Sequence, residues 1–365
     1  MDKKTVYTFS GGPCILPKEV LLQVQDEMLD YKGTGISVME MSHRSKEFTE
    51  IVRKTEKDLR ELLDIPDNFK VFFFQGYTSF QHAAICHNLM KDNKRANYLV
   101  TGFWGKRAIN ECKKLGEPHE VIKPTEIFTT CPDASEWDII EDAAFFHYCE
   151  NETIEGIELL DFPFELVKGQ TLICDMSSNF CTHRINWAEY GMVYAGAQKN
   201  VGPAGVSIAI IREDLIGNAC EDTTSMFDWE VADKAPEKLY NTPNCWGIYV
   251  CGLNLEHMLK KGIDKIAEEA ALKSQMVYDC IDSSDGYYVS TVDPKFRSRM
   301  NIIFQAKNDK DLSNKFKEAA RENGIIELNA PKRPGFIRVS IYNAMPIEGV
   351  QALVDFMDKF KQDNP

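Results

Sequence analysis

The stretch Tyr190–Gly205, YGMVYAGAQKNVGPAG, decides how the rest of the chain is read. A short apolar run, Met192–Ala195, passes through small residues to one lysine, Lys199, and then to Gly202-Pro203-Ala204-Gly205. A second apolar run follows at Val206–Ile211. Short apolar runs bounded by glycine and proline read as buried strands. Lys199 therefore stands at a strand end, among residues too small to crowd it. A lysine in a tight, partly dry site loses proton affinity and becomes a nucleophile toward carbonyls. An ordinary solvated loop lysine is the commoner meaning of such a segment taken alone.

A second segment, upstream, bears on the choice. Thr171–Asp175 (TLICD) is another short apolar run; it ends on an acid and is followed by Met176-Ser177-Ser178. Two buried strands, one ending in Asp175 and the next in Lys199, suit pyridoxal 5′-phosphate (PLP). The aldehyde of that cofactor needs a lysine, and its pyridinium nitrogen needs a carboxylate. Asp175 alone would more often be a helix cap or a turn residue.

The chain has 365 residues, a formal charge of −14 and 11 cysteines. That length can bury a large core and makes one large or two medium domains. The negative balance, with no basic stripe interleaved with aromatics, argues against nucleic acid or an anionic membrane as partner. Any cations for an anionic ligand must therefore be concentrated in the site. The cysteines are odd in number and form no CxxC pair, which fits reduced thiols in a cytoplasmic protein. No apolar stretch reaches membrane length, and no HExxH or zinc-type spacing occurs, so no metal is expected.

Strands and helices alternate along the first two hundred residues. Pro17 opens a helix expected to run to Tyr31, with Val20, Leu21, Val24 and Met28 on one face. Phe48–Leu63 is strongly helical, with apolar residues recurring at three and four. Val71–Phe74 reads as a strand, and a helix is expected from Phe80 to Met90. Between them Thr78 and Ser79 either hold a phosphate at a helix N-terminus or merely cap the helix. Tyr98–Thr101 leads to Gly102-Phe103-Trp104-Gly105, where Trp104 could stack on a flat ring or pack into the core. Ala144–Cys149 is a further strand, with Thr153 shortly after it. This alternation implies a mostly parallel, doubly wound α/β sheet whose strand C-termini form the ligand crevice. Ser79, Trp104, Thr153, Asp175 and Lys199 all fall just after strands. Later segments describe a smaller α/β domain, and Pro331–Arg338 places Lys332, Arg333 and Arg338 within seven positions.

With these segments aligned, the chain resembles the phosphoserine aminotransferases, which are class V, fold-type I PLP enzymes. The resemblance runs nearly end to end. It is carried by FSGGPCILP, GTGISVMEMSHRSKEF, TGFWGKRAI, HYCENETIEGIE, CDMSS, YAGAQKNVGPAG, YNTPN, RSRMNI and RVSIYNAMP. It implies a seven-stranded, mostly parallel sheet in a large domain of residues 16–260, and a small domain of residues 1–15 and 261–365. It further implies that Lys199 carries PLP and moves the proton between substrate Cα and cofactor C4′. Asp175 would pair with the pyridinium nitrogen, Trp104 stack on the ring and Thr153 bond the phenolate oxygen. Thr78, Ser79 and Gln198 would hold the phosphate, with Asn241 and Thr242 supplied by the partner subunit of a homodimer. His43 and Arg44 would lie near the substrate's distal anion, and Arg338 would fork onto its α-carboxylate. The implied reaction is ping-pong transamination from L-glutamate, through the pyridoxamine form, to 3-phosphohydroxypyruvate, in L-serine biosynthesis.

Two segments depart from the family pattern. Where the family has Gly-His-Arg before a Gly-Gly-x-Arg run, this chain reads Ala-Pro-Lys332-Arg333-Pro-Gly-Phe-Ile-Arg338, without the histidine and with a spacing one residue shorter or shifted. A GGG loop is replaced by Gly76-Tyr77-Thr78. Lys332 and Arg333 still supply charge for a phosphate, although a lysine gives a point charge rather than a fork. The alternative these changes suggest is a related aminotransferase acting on pyruvate or glyoxylate. A non-catalytic binding protein would have no need of Lys199, Asp175, Trp104 and Thr153 together, and a nicotinamide dehydrogenase would need a dinucleotide fingerprint that is absent.

Overall fold

The structure, a computed structural model, describes residues 5–365. Seven strands form the central sheet: β1 (Phe69–Gln75), β2 (Arg95–Leu99), β3 (Glu117–Glu120), β4 (Phe146–Cys149), β5 (Leu172–Asp175), β6 (Met192–Gly196) and β7 (Val206–Arg212). Their spatial order is β1-β7-β6-β5-β4-β2-β3. All neighbours pair in parallel except β7, which runs antiparallel to both β1 and β6. The α/β expectation, with a mostly parallel sheet, holds. Strand β3 was not anticipated, because its sequence, EPHE, is polar and sits at the sheet edge, where one side meets water.

Register brings the chemistry to one edge. Cys149 pairs with Asp175, and Asp175 with Tyr194, so the carboxyl ends of β4, β5 and β6 lie side by side. The loops carrying Thr153, Asp175 and Lys199 leave from that edge.

Packing behind the sheet follows from helix periodicity. In the helix Lys46–Leu63, Phe48, Ile51, Val52, Thr55, Leu59, Leu62 and Leu63 are all buried, and Ser45 caps the start through a bond from the Phe48 N–H at 3.1 Å. Each fully buried Leu, Ile or Phe contributes about 1.5–3 kcal/mol. This helix packs on the helix Cys245–Lys261. They approach so closely that a Cβ on Gly252 would lie 2.4 Å from Thr55 Oγ1. Several expected boundaries shift. The first helix covers only Lys18–Asp26 with Pro17 as its cap, and it leaves Leu21 and Leu22 half exposed. The helix expected from Phe80 begins at Thr78.

The main apolar clusters are two. The larger surrounds the seven-stranded sheet. The second joins Phe9, part of the helix Ile263–Asp282 and the C-terminal elements, including an antiparallel sheet of Tyr288–Val289, Asn301–Ala306 and Ile337–Ser340. Tyr7–Thr8 pairs in parallel with Ile325–Ile326, tying the start of the described chain to this second cluster. Among the described residues no helix is long and apolar enough to cross a membrane. Most cysteines are small buried core residues, and all eleven are free thiols.

Candidate active site

Lys199 follows β6 in a loop whose path is fixed by close contacts. A Cβ on Gly202 would lie 2.4 Å from Cys251 Sγ, so only glycine lets the loop rest on the helix Cys245–Lys261. Gly205 has φ +97, a left-handed conformation that glycine adopts at no steric cost. Asn254 Nδ2 donates to the carbonyls of Asn200 and Val201 at 3.0 and 2.8 Å. On the other side Cys14 meets the loop through its N–H to Gln198 O and its thiol to Lys199 O.

Held in this way, Lys199 is 6 % exposed, and its Nζ donates to Thr153 Oγ1 at 2.7 Å. Nζ stands 5.3 Å from the centre of the Trp104 ring. Burial pulls the lysine below its ordinary range, and the attraction of Asp175 only partly opposes this. Asp175 Oδ1 accepts from the Ser177 N–H and hydroxyl, at 2.8 and 2.5 Å. Its Oδ2 lies 3.8 Å from His82 Nε2, beyond hydrogen-bond reach. Burial pushes the Asp175 carboxyl up, but His82, Ser177 and the Lys199 charge outweigh it, so the group stays an anion.

Trp104 is aimed by its helix, Phe103–Cys112. No side chain of the N-cap, Gly102, closes that helix. Instead Glu152 accepts from the Trp104 and Gly105 N–H groups at 2.9 and 2.8 Å, and Glu155 from the Phe103 N–H at 3.1 Å. Burial pushes both Glu152 and Glu155 above the ordinary range and Glu155 pushes Glu152 further, while carboxyl groups at a helix N-terminus meet orphan donors and the positive end of the dipole. Gly102 is required for this, since its Cβ would lie 2.5 Å from both carboxylates.

The first turn of the helix Thr78–Leu89 presents N–H groups at the C-terminal end of β1. Its cap is Tyr77, which contributes no side-chain bond, so neither Thr78 nor Ser79 caps the helix. Gln198 Oε1 is buried without a partner. Arg338, on the strand Ile337–Ser340, comes from the second cluster to lie against Gly11, where a Cβ would stand 2.4 Å from the guanidinium carbon. Among the described residues Arg338 makes no ion pair, and its Nε is buried without a partner. Arg333 stacks on Phe336 with 4.1 Å from Cζ to the ring centre, and its Nη1 is likewise unpartnered. Lys332 Nζ sits 5.3 Å over the Phe103 ring.

The remaining expected residues lie elsewhere on the chain. Asn241 and Thr242 line a crevice with Gln75, Phe80 and Met226. His43 and Arg44 line a groove with Glu237 and Tyr240. No hydrogen bond or ion pair joins either pair to Lys199, Asp175, Thr153 or Trp104.

The residues present fit PLP. Asp175 Oδ2 has no hydrogen-bond donor and is open to a ring N–H; Thr153 and Trp104 flank Nζ; and a helix N-terminus without a side-chain cap suits a phosphate, to which Gln198 would donate from its amide nitrogen. Sequence reasoning did not single out Ser177, Glu152, Gly11 or His82. The signal for Ser177 was its place two residues after Asp175, the spacing of a side chain that turns back to a carboxylate. The others are assembled by tertiary contacts.

A mostly parallel sheet with a buried lysine and aspartate at adjoining strand ends is the arrangement a PLP enzyme needs, and the family model described as Aminotransferase class-V matches residues 6–353. Phosphoserine aminotransferase 2, chloroplastic, of Arabidopsis thaliana is 42% identical over 99% of this chain and 85% of its own length. The phosphoserine aminotransferase of Laribacter hongkongensis is 43% identical over 98% of both. A crystal structure of PLP-bound phosphoserine aminotransferase from Trichomonas vaginalis superposes with a TM-score of 0.92 at 36% identity, covering 97% of this chain and 99% of that one. The chain belongs to the phosphoserine aminotransferase family within class V.

Proposed function

We propose that this chain binds PLP on Lys199 and transfers the amino group of L-glutamate to 3-phosphohydroxypyruvate. The products are 2-oxoglutarate and O-phospho-L-serine, as in L-serine synthesis. The observation that carries the proposal is the meeting of Lys199 Nζ, Thr153 Oγ1 and Asp175 at adjoining strand ends, against the Trp104 ring. When bound, PLP supplies an electron sink for the charge left on the substrate Cα.

The chain's own residues do the rest. Lys199, its proton affinity lowered by burial, takes a proton from the substrate Cα and returns one at C4′ of the cofactor. Thr153 holds Nζ on the side from which it acts. Asp175, anionic and anchored by Ser177, faces the ring nitrogen. Trp104 shields one side from water. Arg338 forks onto the α-carboxylate, and Arg333 with Lys332 meets the distal phosphate. Thr78, Ser79 and Gln198 hold the cofactor phosphate.

The same proposal includes a homodimer in which Asn241, Thr242, His43 and Arg44 reach the partner's site. It is supported by their separation from Lys199 within one chain and by half-exposed Tyr240 and Met226 beside them. A large domain of residues 16–260 and a small one of residues 1–15 and 261–365 is supported by the two apolar clusters. Free, scattered thiols support a cytoplasmic setting.

The test is an absorbance titration of PLP-loaded protein with L-glutamate and, separately, O-phospho-L-serine. Bleaching of the yellow band by both is expected. Bleaching by glutamate alone, with turnover of pyruvate or glyoxylate instead, rejects the phosphorylated substrate. Absence of any yellow band after loading rejects Lys199 as the cofactor lysine.

A further inference from the structure

His82 lies on the helix Thr78–Leu89, four residues after Thr78. Its side chain has no exposure, and neither ring nitrogen has a hydrogen-bond partner among the described residues. Burying an imidazole without partners is unfavourable, and an apolar ring would fill the same space without that cost. Asp175 Oδ2 stands 3.8 Å from Nε2, and this is the aspartate oxygen that Ser177 leaves free.

Three elements of the sheet pack titratable groups against His82: Asp175 from β5, His147 from β4 and Tyr194 from β6. The rings of His147 and Tyr194 meet it edge-on, at 6.3 and 5.9 Å between centres. His147 is driven down to about 3, first by burial and then by His82, so it carries no charge. Tyr194 is raised by burial and stays a phenol, its hydroxyl 2.7 Å from His147 Nε2. Asp175 is the anion that His82 faces, while Lys199 approaches the same carboxylate from the site.

We infer that His82 is a positioning residue for the cofactor ring, backing Asp175 from behind so that this carboxylate stays anionic and correctly aimed. The inference rests on the proposed roles of Lys199 and Asp175. A buried aspartate without such support takes up a proton of its own. The ring nitrogen would then lose its proton, and the ring would withdraw electrons less strongly. One helix thus serves the cofactor twice, at the phosphate through its first turn and at the ring nitrogen through His82 and Asp175.

The experiment compares wild type, His82→Phe, His82→Gln and Asp175→Asn, each first stripped of PLP and then reloaded. PLP dissociation constants and the absorbance of the loaded proteins are followed from acid to neutral pH, with thermal melts to verify folding. His82→Phe should weaken PLP about tenfold, most at acid pH, and raise the acid limb of kcat by roughly one pH unit. His82→Gln, whose amide can donate to Oδ2, should recover most of both. Should the Phe variant not fold, His82→Leu set against His82→Gln gives the same contrast. Wild-type affinity and an unmoved acid limb in the apolar variant overturn the inference. So does an equal, pH-independent loss in the Phe and Gln variants, since that marks packing alone. If wild type takes up no PLP, or Asp175→Asn binds it as wild type does, the cofactor reading itself has failed and the inference falls with it.

Discussion

Around Lys199 most of the buried titratable groups already have partners. Nζ bonds Thr153, Asp175 is held by Ser177 and faced by His82, and Glu152 takes two backbone N–H groups. Along Lys332–Arg338 partners are fewer. Arg333 and Arg338, both part-buried, each hold one guanidinium nitrogen without a partner, although Arg333 Nη2 donates to Thr291 Oγ1 at 3.3 Å, and the exposed Lys332 rests on a phenyl ring rather than a carboxylate. The first region is built from strand ends and is organised before any substrate arrives. The second leaves two part-buried guanidinium groups without a carboxylate, and under the proposed function the carboxylate and phosphate of a substrate would pair with them. Under the proposed function, chemistry is pre-set by the sheet and selection is left to a segment of the second cluster.

The largest test of this contrast is Lys199→Ala. It should lower kcat/KM by more than about 10⁴-fold in both half-reactions, since nucleophile and proton carrier are lost together. Single-turnover absorbance measurements would record this. Arg338→Ala should raise KM about a hundredfold for L-glutamate and for O-phospho-L-serine alike, because both carry an α-carboxylate. Arg333→Ala should cost about thirtyfold with the phosphorylated substrate and leave the glutamate half-reaction nearly intact. Equal losses in both half-reactions would erase the division between the carboxylate and phosphate subsites. Gly11→Ala should act as a weaker copy of Arg338→Ala, with KM up roughly tenfold, because the new Cβ displaces the guanidinium.

A buried carboxylate paired with an arginine offers a test on stability instead of chemistry. Glu158 is buried on the short strand Ile157–Glu158, and Arg299 donates to it from Nη2 at 2.8 Å and from Nε at 3.1 Å. Burial pushes Glu158 up, but the Arg299 charge and hydrogen bonds outweigh it, so its folded pKa lies below the ordinary value. A depressed carboxylate stabilises the fold above the unfolded pKa of about 4.3, and that share is lost as pH falls through the folded value. Arg299→Met should cost about 3 kcal/mol at neutral pH. With its partner gone, burial raises Glu158, so moderate acidification should stabilise the variant. Urea melts across pH would detect the change of sign.

Much of the proposed cofactor site was legible in the sequence because its signals are local. Apolar runs ending in Asp175 and in Lys199, with glycines on either side, specify strands and tight loops, and position after a strand specifies the edge of the sheet. Trp104 and Thr153 follow the same logic. The polar edge strand Glu117–Glu120 was missed because it lacks the apolar run that marks buried strands. The start of the helix at Thr78 was missed because Tyr77 caps it without any of the usual capping side chains.

By itself, then, the sequence determined the alternating α/β order, the lysine–aspartate pair and the family, since each depends on residue type at short spacing. Tertiary structure alone decided which distant groups share a site. Arg338 comes to Gly11 across 327 positions, Glu152 caps the helix that bears Trp104, and His82 stands behind Asp175. The physical reason is that helix and strand periodicity is set by neighbours along the chain, whereas the charge balance of a buried site depends on what the fold packs against it.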